Sequence, residues 1–355
     1  MKAVGGCSTT KAPRHRPKPN LYALCALWSL VPVLLMNHDD NKDAAWVAGL
    51  FSDLRTAVGT VVIGQDEAIR LSFTTLLCSG HSLYEGVPGV AKTLLVRTLA
   101  STLGIRFGRI QCTPDLMPSD IIGTPIFYPG TGEFRFRPGP VFTDLLLVDE
   151  INRAPAKTQA ALLEAMQERS VTVDGVSYPL GEWFTVLATQ NPVEQEGTYP
   201  LPEAEIDRFL FKIQIGYPGE QDEVRVVTTH HAGDALTAGS SPVISTGDLA
   251  KAREIVNSTL PREEILRYAV SLVRSTREHP AIAVGASPRA ALWMVRAAKA
   301  VACLEARSFV LPEDVQAVIR PTLRHRVVLE PSAEVEGMTP DEVVEEVVRS
   351  VPVPH

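Results

Sequence analysis

Short apolar segments alternate with helical segments between about residues 44 and 218 of this chain, and this alternation restricts the fold more than any other feature. The segments LLLV at 145–148 and FTVLA at 184–188 are apolar at almost every position. A strand that is apolar on both faces needs a cover on both faces, as in a parallel sheet packed between helices. The sequence therefore predicts an α/β domain with a parallel sheet.

The pattern changes after Pro218, where apolar strands give way to helical periodicity. We predict four helices in this part, at 246–257, 262–278, 288–306 and 312–320. Two of them begin at Pro288 and Pro312, and proline is favoured at the first helical position. The chain is long enough for about two domains, so the second is predicted to be smaller and all-helical.

The segment GVPGVAKT at 86–93 lies between a predicted strand and a predicted helix. It fits the phosphate-binding pattern G-x-x-x-x-G-K-S/T except at Ala91, which replaces the second glycine. Lys92 is expected to neutralise the β- and γ-phosphates, and Thr93 to offer its hydroxyl to magnesium. Alanine suits its position if its φ is negative, as in a loop that enters a helix. An ordinary Gly/Pro loop is the alternative at this point.

Two carboxylates, Asp149 and Glu150, directly follow the apolar run at 145–148. Paired acids at the end of a buried strand indicate a chemical task, because burial of charge is costly. Asp149 is expected to hold the magnesium shell, and Glu150 to polarise an attacking water. A solvated strand end is the alternative.

Three further polar residues are candidates for the same chemistry. Asn191 ends a neighbouring apolar strand and could orient a water near the γ-phosphate, although Asn-Pro also starts turns. Arg208 follows a short acidic helix, where an arginine more often forms a surface ion pair. Arg289 opens a predicted helix, where the helix dipole disfavours a cation. An anionic ligand or a nearby acid would explain that position.

These motifs, with LLLVDEINRAPAKTQAALLEAMQE and ATQNPVEQEGTYPLPEAEIDRF, resemble the MoxR family of AAA+ ATPases over about residues 44–355. The family often has alanine before the P-loop lysine. The resemblance implies an αβα P-loop domain and a helical lid, with ATP and Mg²⁺ as cofactors. It implies sensor 1 at Asn191, an arginine finger at Arg208 that acts on the neighbouring subunit, and sensor 2 at Arg289. The implied Walker B residues are Asp149 and Glu150. Asp149 and Thr93 are the implied magnesium ligands. The implied nucleotide-binding residues are Gly86, Val87, Pro88, Gly89, Val90, Ala91, Lys92, Thr93 and Leu94, with Ile63 and Gly64 near the adenine.

The expected domains are an extension at 1–43, a core at 44–218, a connection at 219–241, a lid at 242–330, and a C-terminal helix and tail at 331–355. ATP is expected between core and lid. By resemblance, the chain forms a ring, expected to be a hexamer, that hydrolyses ATP and remodels or activates a partner protein. Such partners often contain a von Willebrand factor A domain.

Three alternatives share part of this pattern: a metal-chelatase motor subunit, an AAA+ helicase motor and a non-hydrolysing nucleotide-dependent scaffold. The net charge of −7 and the lack of a DNA-binding motif disfavour nucleic acid as a partner. Glu150 and Arg208 disfavour the scaffold. The five cysteines are scattered without a C-x-x-C pair, which excludes a disulfide framework and a cysteine zinc site. They fit a reducing compartment, and we expect the cytoplasm.

Two predicted hairpins, at 124–137 and 171–178, are candidate partner contacts, and a local β-cap is the alternative. In the first, Phe134 and Phe136 alternate with Arg135 and Arg137, so the two residue types occupy opposite faces. If the aromatic face covers the domain, the arginine face is free for an acidic partner. The reverse arrangement would direct the aromatic side chains at the partner.

The N-terminus differs from the rest of the chain. Residues 2–19 are basic and rich in proline, and residues 21–36 are mostly apolar, as in a signal sequence or a short anchor. This run is short for a membrane span and contains Pro32. Its insertion would carry the ATP-dependent motifs out of the cytoplasm. We therefore expect residues 1–35 to be an unstructured extension, from translated upstream sequence with Met36 as the natural start, and we expect no stable membrane insertion.

Overall fold

The computed structural model describes residues 40–87, 89–191, 199–231 and 242–354. The predictions for residues 1–35 therefore lie outside the described residues. Within the described part of the chain, no helix is both long enough and apolar enough to cross a membrane.

The helices are α1 Asp40–Gly59, α2 Asp66–Leu77, α3 Lys92–Thr102, α4 Pro118–Ile122, α5 Ala156–Glu168, α6 Glu203–Ile206, α7 Glu220–His231, α8 Thr246–Ser258, α9 Glu263–Ser275, α10 Pro288–Leu304, α11 Pro312–Leu323, α12 Pro331–Val335 and α13 Pro340–Ser350. The strands are β1 Ser82–Glu85, β2 Phe107–Gln111, β3 Gly123–Tyr128, β4 Glu133–Pro138, β5 Leu145–Asp149, β6 Ser170–Val173, β7 Val176–Pro179, β8 Thr185–Gln190, β9 Phe211–Gln214, β10 Ile282–Val284 and β11 Val328–Leu329. A short 3₁₀ helix, Ile151–Arg153, follows β5.

Five parallel strands form the central sheet in the order β2-β5-β8-β1-β9. Glu85 pairs with Gln190, and Gln111 pairs with Asp149, so the carboxyl ends of these four strands meet at one edge. All five residues of β5 are buried. The predicted α/β fold with a parallel sheet is confirmed.

Separate hydrophobic clusters cover the two faces of the sheet. One contains α1, α2, α3 and the helices that follow residue 245, with Leu54, Phe73 and Leu99 almost fully buried. The other contains α5 and its neighbours, with Leu163 and Phe209 buried. Because α10 packs on both α1 and α2, the helical lid shares its core with the nucleotide-binding domain.

The start signals of α10 and α11 are confirmed, since both helices begin at a proline. The lid is helical except for the short antiparallel pair β10–β11, which the periodicity did not predict because the strands have three and two residues. The predicted polar connection begins with α7, whose first turn carries Glu220 and Asp222, acids that favour a helix N-terminus. The domain boundaries at 43, 218, 241 and 330 stay a prediction.

The two hairpins, β3–β4 and β6–β7, form as predicted. Phe136 stacks on Tyr178 with ring centroids 4.1 Å apart, so the base of the first hairpin packs on the second. Phe134 lies nearer the tip, is 71% exposed and contacts Phe127. The aromatic face is thus only partly covered, because β3–β4 extends beyond the surface that supports it.

Candidate active site

The loop between β1 and α3 is closely packed where it leaves the strand. A Cβ atom on Gly86 would lie 2.3 Å from the backbone oxygen of Ile215, so no larger residue fits there. Gly89 has φ +87°, which favours glycine. Lys92 donates from Nζ to the backbone oxygen of Gly86 at 2.5 Å. Val87, Val90 and Leu94 pack against the core, and Pro88 lies outside the described residues.

Ala91 corrects one prediction. Its φ is +60° and its ψ is +25°, so it is left-handed rather than negative in φ as expected. The loop therefore keeps the backbone conformation for which the pattern normally uses glycine. A non-glycine residue in this conformation costs roughly 1–2 kcal/mol.

Asp149 ends β5 with its carboxylate almost fully buried. Arg109 of β2 donates from Nε to its Oδ2 at 2.7 Å, and Thr189 of β8 donates from Oγ1 to its Oδ1 at 3.3 Å. Neighbouring strands therefore fix the orientation of this carboxylate, and Arg109 balances its charge.

Glu150 adopts a left-handed conformation, with φ +56°, directly after the strand. Its backbone N–H donates to Thr189 Oγ1 at 2.9 Å, and its carboxylate accepts a hydrogen bond from Arg153 Nη1 at 3.0 Å. Asn191, at the end of β8, is 7% exposed. Burial lowers the pKa of Lys92, while the negative charges of Asp149, Glu150 and Glu85 oppose that shift. These groups therefore share one electrostatic environment at the carboxyl edge.

The residues at this edge fit a magnesium nucleotide. Thr93 and Asp149 offer the hydroxyl and carboxylate oxygens that magnesium prefers. The loop, the N-terminus of α3 and the Lys92 ammonium suit phosphate oxygens. No group of three or more His, Cys, Asp or Glu side chains within the described part of the chain is placed to hold a metal ion, so magnesium here would rely on Thr93, Asp149 and phosphate oxygens.

The predicted adenine segment lies between α1 and α2. Ile63 is buried, and Gly64 has φ +76°. Gly64 lines a cleft of about 410 Å³ together with Val62 and Asp222. A Cβ atom on Gly64 would approach Asp222 Oδ2 and Pro218 to 3.0 Å, so glycine keeps this approach open.

Arg208 lies at the opposite edge of the sheet from the phosphate loop. It precedes β9 by three residues, and the first residue of β9 pairs with Ser82, the first residue of β1. The loop follows the other end of β1, about 13 Å further along a strand of four residues. Arg208 therefore points to a site other than the phosphate loop of its own chain.

Arg289 lies at the same edge as Arg208. Its Nη1 is 3.3 Å from Asp207 Oδ2, and Ser287 donates to the same carboxylate at 3.2 Å. Arg326 donates from Nε to Asp207 Oδ1 at 2.8 Å. From the sequence, either an anionic ligand or a nearby acid could explain the position of Arg289. The structure shows a nearby acid, Asp207. The structure brings together Arg208 and Arg289, and separately the residues of the carboxyl edge.

Sequence reasoning missed Arg109, Thr189, Arg153, Asp207 and Arg326 as parts of these two groups. The spacing of three residues between Glu150 and Arg153, typical of neighbours on one helical turn, could have indicated their ion pair. Asp207 and Arg326 are 119 residues apart, so no local signal connects them.

The fold and the site define a P-loop protein of the AAA+ class. The ATPase family associated with various cellular activities (AAA) matches residues 81–211, and the AAA lid domain matches 274–347. The Mycobacterium tuberculosis chaperone MoxR1 is 44% identical over 307 residues, which are 84% of this chain and 81% of the relative. The Paracoccus denitrificans protein MoxR is 34% identical over 341 residues, 89% of this chain and 99% of the relative.

The chain belongs to the MoxR family of AAA+ ATPases. A Bacillus subtilis relative, the uncharacterized protein YeaC, is 45% identical over 297 residues, 84% of this chain and 92% of YeaC. A solved structure from Cytophaga hutchinsonii, described as a putative ATPase, superposes with a TM-score of 0.82 at 41% identity. It covers 88% of this chain and 98% of its own.

Proposed function

We propose that this chain binds and hydrolyses ATP as a subunit of a ring, and that the ring remodels or activates partner proteins. One observation carries the proposal. The phosphate loop, Asp149, Glu150 and Asn191 occupy the carboxyl edge of the sheet, whereas Arg208 and Arg289 occupy the amino edge. A complete site then needs the carboxyl edge of one subunit and the amino edge of its neighbour.

The residues at the carboxyl edge would perform the chemistry. Lys92 and the loop N–H groups bind the phosphate chain, while Asn191 and Glu150 orient the attacking water and Glu150 accepts its proton. Magnesium held by Thr93 and Asp149 would supply positive charge to the phosphate oxygens. Arg153 donates to one oxygen of the Glu150 carboxylate, so that oxygen becomes available to the attacking water only when this contact opens.

Charge on the transferred phosphoryl group grows towards the transition state, so cations from a neighbour lower the barrier. Arg208 and Arg289 are those cations in this proposal. Arg289 of the lid then acts on the neighbour's nucleotide, and not on ATP between the core and lid of its own chain as the sequence led us to expect. A monomer would therefore be a poor ATPase. We propose a hexamer in which the core at 44–218 and the lid at 242–330 are the two main parts of each subunit.

Remodelling is proposed as the output because the Mycobacterium tuberculosis relative is named a chaperone. The exposed side chains Phe127, Tyr128 and Phe134 at the tip of β3–β4 offer an apolar contact for a protein partner. A partner with a von Willebrand factor A domain is proposed from the family resemblance, and the cytoplasm is the proposed compartment. Three free cysteines, Cys78, Cys112 and Cys303, support a reducing compartment.

The chelatase alternative receives less support. The Chlamydomonas reinhardtii magnesium-chelatase subunit ChlI is 28% identical over 242 residues, 66% of this chain and 54% of that protein. The MoxR relatives match at higher identity over more of both chains.

The test is ATP turnover by the purified full chain as a function of protein concentration, with the oligomeric state followed by sedimentation velocity. Turnover per subunit is expected to rise steeply as the ring assembles. Concentration-independent turnover by a monomer would contradict the shared site, and the absence of turnover in an assembled ring would contradict the ATPase proposal.

A further inference from the structure

A cleft of about 230 Å³ opens at the amino edge of the sheet, beside Arg208. Helix α10 lines it with Arg289, Trp293 and Arg296, whose spacing of four and three residues places them on one face of the helix. The other lining residues are Ser79, His81, Met166, Gln167, Arg169 and Arg208. The cleft is thus built from α10, the end of α5 and the residues before β1 and β9.

The cleft is strongly basic. Four arginines line it, and no carboxylate among the described residues does. Arg169 donates only to backbone oxygens, of Ser79 at 2.6 Å and Glu182 at 3.5 Å. The Arg208 side chain forms no hydrogen bond or ion pair with another described residue, and the Arg289 side chain has only the long contact with Asp207. Like charges gathered this closely repel one another, and an anion would relieve that repulsion.

One residue that lines the cleft, Trp293, carries a hydrogen-bond donor without an acceptor. The indole N–H of Trp293 is buried and has no partner within the described part of the chain. An unpaired buried donor is unfavourable, and tryptophan usually finds an acceptor when it is buried. The donor therefore adds an independent reason to expect a ligand that carries acceptor oxygens.

We propose that this cleft binds the terminal phosphate of ATP held by the neighbouring subunit, and that Arg296 and the indole N–H of Trp293 contact that phosphate beside Arg208 and Arg289. The assignment rests on the proposed function, because it needs a ring. A phosphate group suits these donors because its oxygens accept several charge-assisted hydrogen bonds. One guanidinium group can also donate to two phosphate oxygens at once. Arg169 lies deeper and adds positive charge.

The first experiment measures ATP turnover and ATP affinity for Arg296→Gln and Trp293→Phe. Arg296→Gln removes one charged donor, and Trp293→Phe keeps an aromatic ring but removes the N–H. Each should lower kcat about 10- to 100-fold, while the affinity of each subunit's own loop for ATP stays unchanged. Arg274→Gln is the matched control, because Arg274 is an exposed lid arginine of α9 outside this cleft. Equal turnover in all three variants and the wild type would overturn the proposal.

The second experiment tests whether the contact crosses the subunit interface. Arg296→Gln protein is mixed with Glu150→Gln protein, so that some interfaces pair an intact Glu150 with an intact Arg296. Turnover should recover in these mixed rings. If rings are mixed and turnover does not recover, Arg296 does not act on the neighbour's nucleotide.

A third measurement separates the neighbour's nucleotide from free phosphate. In a Lys92→Ala background, which weakens the loop, inorganic triphosphate should leave the melting temperature of unassembled protein unchanged. If triphosphate raises the melting temperature and Arg296→Gln abolishes that rise, the cleft binds free polyanions. This result would overturn its assignment to the neighbour's ATP.

Assembly gives a readout that does not depend on hydrolysis. In the Glu150→Gln background, Arg296→Gln should raise the protein concentration for half-maximal ATP-dependent assembly about tenfold. If Arg296→Gln weakens assembly in this way but the wild-type protein does not hydrolyse ATP, the ATPase proposal is refuted and the phosphate contact stands. If the wild-type protein hydrolyses ATP and Arg296→Gln changes neither assembly nor turnover, only the phosphate contact is refuted.

Discussion

Arg326 donates from Nε to Asp207 Oδ1 at 2.8 Å, and its side chain is only 1% exposed. The same guanidinium group donates to the backbone oxygens of Asp207 at 2.9 Å and Leu210 at 3.2 Å, and also to that of Phe209. One side chain that follows α11 therefore holds the residues on both sides of Arg208. A movement of the lid would change the position of Arg208 through this contact.

We predict that Arg326→Lys lowers kcat more than it changes ATP affinity, because lysine cannot keep all of these hydrogen bonds and Arg208 loses its position. Because lysine keeps the charge beside Asp207 but leaves buried backbone oxygens without a donor, the free energy of unfolding should also fall by about 1–3 kcal/mol. Turnover, nucleotide binding and denaturant unfolding are measured together. Arg320→Lys is the control, since Arg320 forms an exposed ion pair with Glu345, where about 0–1 kcal/mol is expected. A variant that loses stability and keeps kcat would show a structural role only.

Glu150→Gln should keep ATP binding and lower hydrolysis at least ~10²-fold, because glutamine cannot accept the proton of the attacking water. Lys92→Ala should instead weaken binding, since it removes the ammonium group from the phosphate loop. Binding of a fluorescent ATP analogue and phosphate release distinguish the two effects. Glu164→Gln, an exposed change on α5, serves as the control. Normal hydrolysis by Glu150→Gln would remove Glu150 from the catalytic assignment.

Mixing Arg208→Ala protein with Glu150→Gln protein should restore part of the ATPase activity that each lacks alone. Some interfaces of a mixed ring pair an intact Glu150 with an intact Arg208 of the neighbour. Mixing Arg208→Ala with the double variant Arg208→Ala/Glu150→Gln provides the control, because no interface then has an intact arginine. Recovery of activity in both mixtures would argue against action across the interface. So would the absence of recovery in both, once mixed rings have been demonstrated.

Substitutions at two positions of the β3–β4 hairpin should affect different properties, one the stability of the protein and the other its coupling to a partner. Phe136→Ala should reduce the free energy of unfolding by about 1–3 kcal/mol, because Phe136 stacks on Tyr178 and packs edge-to-face against Phe142. Phe134→Ser should cost less than about 0.5 kcal/mol, because Phe134 is exposed. We expect Phe134→Ser to weaken partner binding or partner-stimulated turnover.

The double change Arg135→Ala/Arg137→Ala provides the comparison for this hairpin, since both arginines are exposed. Pull-down of the partner and stimulated turnover are measured for each variant. Loss of coupling only in the arginine variant would mean that the arginine face meets the partner. Unaltered coupling in both would reduce the hairpin to a structural cap.

Stability should fall in mild acid because of buried histidines. Burial lowers the pKa of His81 to about 3 and that of His325 well below its usual value. The unfolded chain protonates histidine near pH 6.5, so below that pH it binds more protons than the folded chain, and the free energy of unfolding decreases. Between pH 6.5 and 5 the loss is up to about 2 kcal/mol for each buried histidine.

Urea unfolding at several pH values checks this, and His81→Gln should show a smaller slope than the wild type in that window. His81 Nδ1 accepts a hydrogen bond from the backbone N–H of Val186 at 2.9 Å, which glutamine could replace in part. An identical slope in the variant would show that His81 is already protonated in the folded protein.

The residues of the carboxyl edge could be predicted because each follows an apolar strand in sequence. Asp149 ends β5, Glu150 and Asn191 directly follow β5 and β8, and parallel strands bring their carboxyl ends together. The φ of Ala91 could not be predicted in this way, because its left-handed conformation depends on how the loop packs between β1 and α3. The partial exposure of the aromatic face likewise depends on where β6–β7 ends beneath the first hairpin.

The sequence by itself determined the class of fold, the phosphate loop, the two carboxylates and the family, because these depend on local patterns of apolar and polar residues. Only the tertiary structure decided which charged groups meet. Arg109 reaches Asp149 across 40 residues, and Arg326 reaches Asp207 across 119. It also placed Arg208 and Arg289 at the edge opposite the phosphate loop. Such contacts depend on strand order and on the docking of the lid, which no short-range periodicity encodes.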